Sequence, residues 1–170
     1  MSGAADAEVA VNLVNREWAR AIRGVEGVCR RAARAALEAA GNPVPGAEIS
    51  VALADDAVLR SLNARYRGQN RATDVLSFAD GAAAGPGAGL PVLLGDVVIS
   101  YERASADALA AGLSLAERLS HLVVHGVLHL LGHDHGAAAE AAVMEGLETR
   151  ALAGLRIADP HAREEVILET

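Results

Sequence analysis

Residues 114–132, SLAERLSHLVVHGVLHLLG, constrain the fold more than any other stretch of the chain. Leu115, Leu119, Leu122, Val123, Val127, Leu128, Leu130 and Leu131 cover nearly the whole circumference of a helix, the pattern of one packed on most of its sides. Ser114 followed three residues later by Glu117 is a capping box, in which each side chain accepts from a first-turn N–H that has no intrahelical partner. Gly132 is placed as the left-handed C′ residue that stops the helix. Into this buried element the chain inserts His121, His125 and His129, with His133 and His135 directly behind.

The flanking sequence supplies the partners such a helix needs. Val9, Val11 and Leu13 alternate with smaller or polar neighbours, as do Ile49, Val51 and Leu53, and both runs read as strands with one buried face. TDVLSFAD (73–80) and LLGDVVISYE (93–102) read as two more, separated by GAAAGPGAGLP (81–91), a loop whose Gly and Pro content opposes any regular element. One helix is expected from Arg30 to Ala40, stopped by Gly41, and one from an N-cap at Asp55 to about Gly68. A last helix runs from Ala138 to Leu152, followed by an acidic tail after Asp159. The expected class is α+β: residues 1–170 as a single compact domain, a small mixed sheet of about four strands with about five helices. With 170 residues, 52% of them hydrophobic, and no long linker, one core suffices.

Composition removes several function classes. All fifteen basic residues are arginine, which excludes a lysine-dependent phosphate loop, a Schiff-base lysine and pyridoxal chemistry. Trp18, Tyr66, Phe78 and Tyr101 are too few and scattered for a base-stacking platform. A formal charge of -7 opposes a generally basic binder, so attraction to any polyanion must be local. Arg60, Arg65, Arg67 and Arg71 provide such a strip, in twelve positions without Asp or Glu; an ordinary solvated helix end is the plainer account of it. Cys29 is the only cysteine, which forbids an internal disulfide and a thiolate-rich metal site. MSGAADAEVAVN lacks the basic flank of a secretory signal, and no apolar segment approaches the roughly 20 residues of a membrane span, so a cytoplasmic protein without membrane attachment is expected.

His121, His125 and His129 recur every four residues and therefore stack along one helix face. One ion can take His121 with His125 or His125 with His129. It cannot take all three, because eight residues at about 1.5 Å rise separate the outer pair by roughly 12 Å, against a zinc–nitrogen bond of about 2.1 Å. Gly132 lets the chain leave the helix and fold back, and a returning segment reaches the C-terminal pair most easily. The expected ligands are His125, His129 and His135, around one divalent ion at the end of the buried helix, with His121 beside the site. Three imidazoles leave a fourth vertex for water, whose pKa a metal lowers from 15.7 to about 7. Zinc is the first choice of ion, although three nitrogens and a water also suit nickel and other first-row metals. Asp134 is placed to orient a ligand ring through its second nitrogen, or to cap the local turn. His133 and His161, taken singly, read as ordinary histidines.

The spacing is similar to the H-E-x-x-H of metallopeptidases, but Gly126 stands where those enzymes carry their glutamate base. HGVLHLLGHDH (125–135) more closely resembles the H-G-x-L-H-L-x-G-Y-D-H signature of the YbeY family of bacterial endoribonucleases. A separate stretch, LNARYRGQNRATDVLSF (62–78), is similar to that family's segment around R-G and T-D-V-L-S-F, and LLGDVVIS resembles its next strand. His133 departs from the family's usual tyrosine. The resemblance implies a single-strand-specific, metal-dependent endoribonuclease in 16S ribosomal RNA maturation and ribosome quality control, with metal ligands on His125, His129 and His135 and a functional arginine on Arg67. It further implies ribosomal RNA precursor as substrate and the ribosome or its small-subunit proteins as partners, with no DNA. A guanidinium suits that role at Arg67, because its fork complements the charge gathering on a phosphodiester's nonbridging oxygens. The rival readings are a metallopeptidase with another base and a ribosome assembly factor whose metal only fixes the fold.

Overall fold

Alternating side chains build the sheet, and the computed structural model, which describes residues 7–41, 46–67, 75–79, 92–134 and 136–159, shows how they divide between its faces. The strands are β1 (Glu8–Leu13), β2 (Ala47–Ala54), β3 (Val75–Ala79) and β4 (Val92–Ser100), in the order β1-β2-β4-β3. β1 pairs parallel with β2 and β2 parallel with β4, while β3 closes the edge antiparallel to β4. The mixed four-stranded sheet expected from the sequence is therefore present.

Ile49, Val51 and Leu53 of β2 and Val97 and Ile99 of β4 point to one side, into a core completed by α2 (Val25–Ala39), α5 (Leu115–Leu130) and α6 (Ala138–Gly154). Ala54 and Val98, one position out of step, point to the other side, where α3 (Asp56–Arg67) covers them with Leu59, packed alongside Leu76. The side chains of α5 that point into the sheet are almost wholly apolar, and α6 lies outside α2 and α5. The described residues thus form a single α+β unit, and none of its helices is long and apolar enough to cross a membrane.

Six helices are present among the described residues, where about five were expected. The short α1 (Glu17–Ala21) went unread; it puts Trp18 in the core, with its indole N–H donating to the Ala54 carbonyl at 3.0 Å. α4 (Tyr101–Ala111) was also missed, because the β-prone Tyr101 extended the apparent strand into it. Ser100 ends that strand and caps the helix, accepting from the Arg103 N–H at 3.4 Å. α2 begins at Val25 rather than Arg30, after Gly24 in a left-handed conformation, and ends before Gly41 as expected. Asp55 does cap α3, accepting from the Val58 N–H at 3.0 Å. The loop 81–91 and the tail after Asp159 lie outside the described residues.

Candidate active site

The candidate site begins with the two ends of α5. At the start, the Ser114 hydroxyl accepts from the Glu117 N–H at 3.1 Å and the Glu117 carboxylate accepts from the Ser114 N–H at 2.9 Å, the reciprocal pair expected of a capping box. At the finish, Gly132 has φ +97°, His133 N–H donates to the Leu128 carbonyl and Gly132 N–H to the His129 carbonyl, each at 3.0 Å. Those two bonds are a Schellman turn, so the helix stops one residue beyond His129 and the chain reverses there.

Between Leu119 and Leu130 every residue of α5 is buried except His121, His125 and His129, which keep partial exposure along a single stripe. Equal spacing does not make the two neighbouring pairs equivalent. The rings of His121 and His125 lie 6.4 Å apart, centroid to centroid, and those of His125 and His129 only 4.6 Å. Nε2 of His125 and Nε2 of His129 approach to 3.1 Å. Two nitrogens held at about 2.1 Å by a tetrahedral ion would stand roughly 3.4 Å apart, so this pair fits a shared divalent cation within a few tenths of an ångström. His135, the expected third ligand, lies outside the described residues, and among those residues no three His, Cys, Asp or Glu side chains are grouped to hold an ion.

The carboxylate that orients His125 comes from a residue the sequence reading passed over. Glu148 of α6 is buried, 2% exposed, and accepts from His125 Nδ1 at 2.6 Å through one oxygen and from His121 Nε2 at 3.3 Å through the other. Burial alone would raise its pKa, but the hydrogen bonds from His121 and His125, and their charge, outweigh that and hold the carboxyl far below the usual range. Asp134, the expected orienting carboxylate, is exposed at the turn, where His133, Asp134, Ala139, Glu140 and Val143 line a shallow hollow. The available signal for Glu148 was its place in the stripe Met144, Glu148, Ala151 and Leu152, a lone charge among residues spaced to be buried. Cys29 offers no ligand: burial, above all, pushes its thiol up to about 12, with Arg30 lowering and Glu26 raising it.

On the side of α5 that meets the sheet, Gly126 explains why no glutamate follows His125. A Cβ at Gly126 would meet Val97 Cγ1 at 2.6 Å and Ser77 Oγ at 3.2 Å, so the sheet occupies the space a side chain would need. Ser77 Oγ donates to the Gly126 carbonyl at 3.2 Å across the same contact. The base of an H-E-x-x-H peptidase therefore has no place at this position. Of the arginine strip, Arg60 and Arg65 are exposed on α3 and Arg67 is its last residue. The side chain of Arg67 and the whole of Arg71 lie outside the described residues.

A sequence model described as "Endoribonuclease YbeY" matches residues 7–156. The chain belongs to the endoribonuclease YbeY family. An endoribonuclease YbeY from Paramagnetospirillum magneticum is 47% identical over 161 residues, spanning 92% of this chain and 97% of that protein. The one from Rhodospirillum rubrum is 46% identical over 163 residues, spanning 91% of this chain and 81% of that protein. The solution structure of TM1509 from Thermotoga maritima superposes with a TM-score of 0.54 at 19% identity, over 87% of this chain and 91% of that one, which shows a shared fold. As a YbeY-family chain the molecule is a nuclease of the hydrolase class, and the histidine stripe lies within the matched region.

Proposed function

We propose that the protein is a single-strand-specific, metal-dependent endoribonuclease acting on ribosomal RNA precursor, with His125, His129 and His135 as ligands of one divalent ion, zinc first among the candidates. The observation that carries the reading is the 3.1 Å approach of His125 Nε2 and His129 Nε2 on a partly exposed stripe of an otherwise buried helix. Membership of the YbeY family supports RNA as the substrate, and the ribosome or small-subunit proteins as partners follow from the ribosomal substrate. When bound, the ion would act as a Lewis acid toward the phosphodiester and lower the pKa of water at its open vertex.

The protein's own groups do the rest. His125 is locked by Glu148 with its Nδ1 proton directed away from His129, so Nε2 keeps a lone pair for the shared position. His129 presents its Nε2 from the last turn before the Schellman reversal. Arg67, from the end of α3, would place a guanidinium fork on the nonbridging oxygens, where charge accumulates during attack. Scarcity of aromatic rings fits cleavage without base readout, leaving target choice to protein partners.

The test is cleavage of a single-stranded ribosomal RNA fragment by purified protein, with its metal content measured before and after chelation. Chelation should abolish cleavage and readdition of zinc restore it. His125→Ala and Arg67→Ala should each lose cleavage at least about 100-fold while remaining folded, the scale of removing one electrostatic contact to a transition state. Cleavage that survives chelation overturns the metal reading, and an active Arg67→Ala overturns that residue's role.

A further inference from the structure

His125 is the inner end of a polar chain that crosses from α4 through α5 to α6. Asp107 Oδ2 lies 3.3 Å from Arg118 Nη2, Arg118 Nη1 lies 3.3 Å from His121 Nδ1, and Glu148 joins His121 to His125. The chain runs inward from an Asp107 side chain that is 46% exposed to a Glu148 side chain that is 3% exposed, so its outer end is wet and its hub is dry.

Each link has only one possible polarity. A guanidinium carries donors and no acceptor, so Nδ1 of His121 must accept from Arg118 and the ring's proton sits on Nε2. An ionised carboxylate carries acceptors and no donor, so Glu148 must receive N–H groups from both rings: Nε2–H of His121 and Nδ1–H of His125. The proton on Nδ1 of His125 leaves its Nε2 unprotonated, and that is the nitrogen facing His129. The tautomer of His125 is thus fixed by Glu148, and that of His121 by Glu148 and Arg118 together, in a chain of five residues that begins at the protein surface.

We propose that Glu148 is the positioning residue of this site, and that Asp107 and Arg118 act on it at a distance by fixing the tautomer of His121. This deepens, and rests on, the reading of His125 and His129 as metal ligands. His121 then has a stated task without being a ligand: it occupies the second carboxylate oxygen, so that Glu148 cannot rotate away from His125. Carboxylate partners of ligand histidines contribute 10–100-fold to metal affinity. Glu148→Gln replaces one acceptor with a donor at nearly constant volume, so one of the two rings must turn a lone pair toward the new amide.

The first experiment needs no variant: nitrogen-15 spectra of the imidazoles in the metal-free wild-type protein at neutral pH. The expected result is a proton on Nδ1 of His125 and on Nε2 of His121; either ring in the opposite tautomer overturns the proposal. The second is zinc affinity by competition with a chromophoric chelator, with thermal melting as the control for folding. Glu148→Gln should bind zinc 10–100-fold more weakly than wild type, and Arg118→Gln should weaken it by a smaller factor in the same direction. Folded Glu148→Gln protein with wild-type zinc affinity overturns the positioning role; should that variant fail to fold, the wild-type spectra decide. Wild-type protein that binds no zinc, nickel or other first-row ion instead sinks the metal reading above, while the tautomer assignment is still judged on its own spectra.

Discussion

On the side of α5 that meets the sheet, Gly126 leaves no room for a methyl group before Val97; on the side that meets α6, His121, His125 and His129 keep partial exposure, and His121 and His125 share the buried carboxylate of Glu148. One helix therefore carries two faces governed by different physics. The sheet face is limited by volume, because Val97 is wholly buried and stands directly against Gly126, so any added carbon changes the packing of β4 against α5. The α6 face is limited by counting donors and acceptors, because a ring or carboxylate left without its partner costs more than a small change of shape. The lesson is that stability and chemistry can be altered separately in this molecule by choosing the side of a single helix.

Substitutions in the packed interior and on the histidine face test that separation, and Leu128→Ala, in the core, should have the largest effect. Loss of this wholly buried side chain should cost about 2–5 kcal/mol in urea unfolding, with zinc affinity of the remaining folded protein close to wild type. A loss below about 1 kcal/mol would show that the core around α5 is not close-packed. Gly126→Ala comes next, at about 1–3 kcal/mol, as the cost of overpacking. If Val97 is the obstacle, Val97→Ala in the same chain should recover part of that loss, giving an interaction energy of about 0.5–3 kcal/mol in a double-mutant cycle. Strictly additive losses would break the steric account.

Ser114→Ala removes one half of the capping box and should cost about 1 kcal/mol, read as a lower melting temperature with unchanged RNA cleavage. The smallest change in stability belongs to the other face. His129→Ala removes a partly exposed ring and should shift the unfolding free energy by less than about 1 kcal/mol while abolishing RNA cleavage. A large loss of stability in His129→Ala, with cleavage retained, would reverse the roles assigned to the two faces.

How much of this was legible in the sequence differs from element to element. The limits of α5 were readable because they rest on local chemistry: a hydroxyl and a carboxylate three residues apart, and a glycine able to adopt φ +97°. Strands β1 and β2 were readable from alternation. The boundary between β4 and α4 was not, because Tyr101 favours a strand by propensity and enters a helix only because Ser100 caps it and Tyr101 packs edge-on against Trp18, ring centroids 5.3 Å apart. Helix α1 escaped for the same reason, since its five residues are held by Trp18 in the core and not by their own periodicity.

The chain alone determined that a buried helix would carry imidazoles on one stripe, because a period of four residues and a helical turn nearly coincide. It also determined that a turn would follow at Gly132, because the backbone there must adopt a conformation that side chains resist. Only the tertiary structure decided which neighbours along the stripe draw together, which carboxylate holds His125, and why a glycine separates His125 from Val127. Glu148 lies 23 positions beyond His125, and Val97 belongs to a strand 29 positions before Gly126. Neither distance carries a local signal, because a hydrogen bond or a steric limit depends on separation in space, and packing of the sheet and helices sets that separation.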